Sequence, residues 1–92
     1  MKSLQKIAIF LLIVGLQKGK SIISLMDSSE IRTIVPEFDN LSEISPETQK
    51  SVWTEFEQLG YEGTMSPSDA LGIIRVLFNS SKISDKSKRH FF

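Results

Sequence analysis

Two carboxylates are the residues best placed to do chemistry. Glu30 and Asp69 sit in matching surroundings: Met26 and Met65 stand four positions ahead of them, and Ile31, Ile34, Val35 and Phe38 follow the first at the offsets where Ala70, Ile73, Ile74 and Leu77 follow the second. An acid at the start of an amphipathic helix can help hold a cation, or simply complement the positive end of the helix dipole. Other chemistry finds little support. His90 is the sole imidazole and lies in a basic stretch near the C-terminus, where nothing positions it for acid–base work. Glu55 and Glu57 are two apart, so a helix turns them to different sides and they cannot act as a catalytic pair. Zero cysteines exclude a disulfide framework and cysteine-bound zinc. The expectation is a protein that is not an enzyme.

The surroundings of the two acids extend into a repeat. Ile9, Ile13 and Leu16 precede Glu30 with the mutual spacing that Val52, Phe56 and Leu59 show ahead of Asp69. Helix, loop, acid, helix is therefore stated twice, and an internal repeat sets the architecture before any local reading does. The pattern predicts an all-α fold of four helices arranged as a pair of helix–loop–helix units. The first predicted helix runs from Leu4 to Leu16 and is apolar around most of its circumference, which suits burial against several neighbours or across a dimer. The second starts at Asp27 or Ser28 and should stop near Val35, ahead of Pro36. Phe38 to Glu43 then reads as a linker. The third opens with Ser45 as cap, Pro46 in the first turn and Glu47 at the positive end of the dipole, carries Val52, Trp53, Phe56 and Leu59, and stops at Gly60. The fourth opens at Ser66-Pro67-Ser68-Asp69 and continues through Leu71, Ile74, Leu77 and Phe78 to Asn79-Ser80-Ser81. Residues 1–79 are thus expected to form the folded pair, and residues 80–92, with Lys82, Lys86, Lys88 and Arg89, a basic flexible tail.

A chain of 92 residues is one domain with a marginal core, for which a partner or a second copy would matter. A formal net charge of +0 gives no general attraction to nucleic acid or to anionic membrane. The N-terminus admits two readings. Lys2 and Lys6 followed by Ile7 to Leu16 resemble the charged and apolar regions of a signal peptide, and the sequons at Asn40 and Asn79 fit secretion. Against cleavage, Gln17-Lys18-Gly19-Lys20 offers no pair of small residues at the required spacing. The apolar run also falls short of the ~20 residues of a transmembrane helix. A buried first helix in a cytoplasmic protein is one alternative. A small secreted helical effector whose mature form starts near Ser21 or Ile22 is the other.

The stretch Gly63-Thr64-Met65-Ser66, then Asp69, Ala70, Ile73, Ile74 and Leu77, resembles the latter half of an EF-hand. A long first loop, Gln17 to Glu30, followed by a shorter second one is similar to the S100 proteins, and the likeness extends from about Leu4 to Phe78. The resemblance implies a homodimer in which the first and fourth helices meet, and calcium at the first loop held by Glu30 and by carbonyls near Gln17, Lys20, Ile22 and Leu25. Lys18 and Lys20 disfavour a cation there, and only Gly60, Tyr61 and Glu62 separate Leu59 from Gly63, so the second loop lacks its early acids. The expectation is therefore no cofactor beyond weak calcium at Glu30. The family's remaining mode would be an S100-like interaction module that binds an amphipathic segment of a protein partner largely without calcium. Its contacts would be Phe38, Leu41, Ile44, Trp53, Phe56, Leu77 and Phe78.

Overall fold

The structure is a computed structural model that describes residues 2–41 and 43–90, with side chains through residue 79. Among the described residues five helices run in the order α1 (Ser3–Ile13), α2 (Leu16–Ser24), α3 (Ser28–Asn40), α4 (Pro46–Gln58) and α5 (Pro67–His90), joined by turns and short irregular segments. The all-α expectation holds. The arrangement as four helices in two EF-hand units does not, because α2 occupies the stretch read as the first loop.

α1 is the axle of the fold. Ile7, Ala8, Ile9, Phe10 and Leu11 are all buried, five in succession, which a helix of 3.6 residues per turn can achieve only when it is covered on every side. The cover comes from α2, α3, α4 and α5, each of which packs on α1. An aromatic cluster joins α1 to α4: Phe10 stacks on Phe56 of α4 with ring centroids 3.9 Å apart and meets Tyr61 edge-on at 4.8 Å, while Trp53 meets Tyr61 edge-on at 5.4 Å. Lys6 fastens the rim of the α1–α4 contact through a 3.0 Å ion pair with Glu55. The middle of α1, Ile7 to Leu11, is thus covered within one chain, while Leu12 near its end stays exposed.

Gly15, with φ of 101°, turns the chain sharply between α1 and α2 in a conformation that disfavours side chains. α2 then folds back on α1, where Gly19 approaches so closely that a Cβ built on it would lie 2.7 Å from the Leu11 carbonyl oxygen. Ile22 enters the core, and Lys18 donates to the Gly63 carbonyl at 2.6 Å, tying α2 to the turn before α5. The segment is helical because it is packed, since Gly19 and a mixed polar composition supply little intrinsic helix preference.

α3 also departs from expectation. Pro36 lies inside it rather than beyond its end, and Phe38, expected in a linker, is on the helix. Proline removes one backbone hydrogen bond and crowds the preceding turn. Burial of Ile34 and partial burial of Phe38 against the core offset that loss. α4 follows its sequence signals closely: Ser45 Oγ accepts from the Thr48 amide at 3.1 Å, Pro46 is in the first turn, and Gly60 past the end has φ of 107°. At the start of α5 the Asp69 amide donates to Ser66 Oγ at 3.2 Å. The side chains of the basic stretch expected from residue 80, His90 among them, lie outside the described residues, as do Phe91 and Phe92 altogether.

Candidate interaction surface

An open apolar groove is built where α1 ends. Leu12 is 51% exposed and Leu16 is 77% exposed, and with Leu11, Gly19, Lys20, Ile23 and Phe38 they line a groove of about 250 Å³. Local folding explains each position. The Gly15 turn carries Leu16 out of the core, and the spacing of Leu16, Gly19 and Ile23 places all three on one face of α2. Because Gly19 has no side chain, α2 lies low over α1, and Phe38 forms the opposite wall from α3. Lys20 is the only charged residue in this lining. Exposed leucines gathered in a concavity are the surface on which a partner's apolar side chains gain most by leaving water.

The seven residues expected to bind a partner are dispersed by the fold. Phe38 lines the groove just described. Leu41 and Ile44 line a separate hollow of about 190 Å³ beside Ile9. Trp53 is half-buried in the aromatic cluster, and Phe56 is 0% exposed at its centre. Leu77 and Phe78 are buried on α5, Phe78 facing a cleft between α3 and α5. The sequence reading missed Leu12, Leu16 and Ile23 as surface. For Leu16 and Ile23, Gly15 was the available signal: it separates them from the enclosed helix, whereas Leu12 lies within that helix and carried none.

Glu30 is used structurally. Asp27 and Glu30 form a reciprocal cap at the start of α3, the Glu30 amide donating to Asp27 Oδ1 at 2.8 Å and the Asp27 amide to Glu30 Oε1 at 2.9 Å. Arg75 of α5 then takes the same carboxylate with both arms, Nε to Oε2 at 2.8 Å and Nη2 to Oε1 at 3.0 Å. The Arg75 hydrogen bonds hold the Glu30 carboxyl below its ordinary pKa, and the hydrogen bond from the Glu30 amide does the same for Asp27. The carbonyls offered as calcium ligands belong to α2 and its end, where Gln17 O accepts from Ser21 Oγ and Ile22 O from the Leu25 amide. Among the described residues, no group of three or more acidic or histidine side chains converges as a metal cage would require.

These features define an all-α domain wound about one enclosed helix, with an apolar groove left open at one end of it. The sequence matches the FliG N-terminal domain family over residues 1–89, and the chain belongs to that family. No curated protein and no solved structure matches the chain. The family match corrects the resemblance to S100 proteins and other EF-hands, and with it the reading as an S100-like module. The two acids do recur in similar frames, but an acid in the first turn of an amphipathic helix is a general capping solution and carries no mark of calcium. The secreted alternative is not supported either: the family match takes in the N-terminal segment, and α1 supplies the centre of the core.

Proposed function

We propose that this chain is a component of the flagellar motor switch and acts there as a protein-interaction domain on the cytoplasmic side of the motor. The match to the FliG N-terminal domain across residues 1–89 is the observation that carries the reading. The groove at Leu12, Leu16, Ile23 and Phe38 supports it, because it gathers the two most exposed leucines into a concavity that offers another protein an apolar seat. Among the described residues, no helix is long and apolar enough to cross a membrane. The reading assigns the chain no catalytic step and no cofactor.

The test is recovery of the tagged full chain with flagellar basal structures isolated from its source organism, for the parent and for Leu12→Glu/Leu16→Glu. The parent should co-purify with these structures and the double variant should not. Absence of the folded parent from them would sink the motor-switch reading. Retention of the variant would instead move the docking surface away from the groove.

A further inference from the structure

The cleft between α3 and α5 holds a device that the motor-switch reading does not use. α5 buries Ala70, Leu71, Ile73, Ile74 and Leu77 and packs on α1 and α2. Toward α3 it faces a cleft of about 310 Å³, lined by Leu4 and Phe78 and by the polar start of α3. The Arg75–Glu30 pair, 45 residues apart in sequence, spans that cleft.

We propose that the Glu30–Arg75 pair is a salt-sensitive latch that sets the separation of α5 from the start of α3, and that its release opens the cleft over Leu4 and Phe78. Three features make it a latch rather than general glue. The contact is two-pronged, so it fixes direction as well as distance. The Arg75 side chain is 46% exposed against 12% for Glu30, so dissolved ions reach the pair from the arginine side, whereas the apolar packing of α5 on α1 is insensitive to such screening. Finally, Glu30 is joined to the α3 cap by its own oxygen and by Asp27, so removing the arginine frees the edge of α5 that faces α3 while leaving α3 properly started and α5 seated on α1. Opening would uncover Phe78, which is buried, and present an apolar strip that the closed form conceals.

With zero cysteines, the chain accepts a unique pair of spin labels. Arg32→Cys on α3 and Gly72→Cys on α5 are exposed positions for them. Pulsed electron-spin resonance on the labelled full chain should give one narrow distance at low salt. That distance should lengthen and broaden in about 1 M salt, where screening acts within ~3 Å. Arg75→Met should show the long, broad distribution at every salt concentration while keeping the parent's circular dichroism. A distribution unchanged by Arg75→Met overturns the proposal. If that variant does not fold, the salt response of the parent and the behaviour of Arg75→Lys decide, and a parent distance indifferent to salt overturns it equally.

Discussion

Replacing Gly19 by alanine sets two effects of known sign against each other. Alanine is favoured over glycine inside a helix by about 1 kcal/mol, so on propensity alone the variant would be more stable. The new methyl group, however, would sit 2.7 Å from the Leu11 carbonyl oxygen. That neighbour is backbone in the enclosed axle of the fold and cannot rotate away, so α2 must lift by a few tenths of an ångström. Overpacking of this kind costs about 1–3 kcal/mol. Taking about 2 kcal/mol against about 1 kcal/mol leaves a net loss of about 1 kcal/mol, which for a domain this size lowers Tm by ~4–8 °C. Gly72 is the matched control, lying within α5 with nothing within 4 Å of a built Cβ. Gly72→Ala should raise Tm by about as much as Gly19→Ala lowers it. Thermal melts followed by circular dichroism read both. A Gly19→Ala melt at or above the parent's would refute the close packing of α2 on α1, and with it the groove geometry that depends on it.

Two other outcomes follow from the same structure. Phe56→Ala deletes the ring stacked on Phe10 and should cost about 3–5 kcal/mol, a large share of a small domain's stability, read as a fall in the urea midpoint; a loss under about 1 kcal/mol would contradict the aromatic core. Acid should weaken the fold through Asp27 and Glu30, whose folded pKa values are depressed: their contribution is complete above the ordinary carboxylate range and is lost as pH falls through it toward the folded values. Asp27→Asn/Glu30→Gln retains side chains able to cap and removes both titrations, so its denaturation midpoint should fall less between about pH 7 and acid than the parent's. Equal slopes would show that this cap does not respond to acid.

Local signals were legible wherever a short stretch of chain contains its own reasons. Ser45 and Pro46 start α4, Gly60 follows its end in the left-handed region, and Ser66 with Pro67 opens α5, because caps and fixed backbone angles act over three or four residues. The apolar circumference of α1 likewise announced a helix buried against several neighbours, as Ile7 to Leu11 are. The repeat around Glu30 and Asp69 was real as a pattern, yet it reported helix starts and not a shared cation chemistry.

Only tertiary structure decided what lies between those signals. α2 is helical because Gly19 lets it rest on Leu11 and Ile22 reaches the core, contacts that local preference cannot register. α3 runs on past Pro36 because its buried residues pack against α1. The groove joins Leu12, Leu16 and Ile23 to Phe38 across three helices, and Arg75 finds Glu30 from 45 residues away. Sequence spacing places side chains on the faces of one helix, but which faces meet depends on how closely two backbones can approach, and here that distance is set by a glycine against a carbonyl.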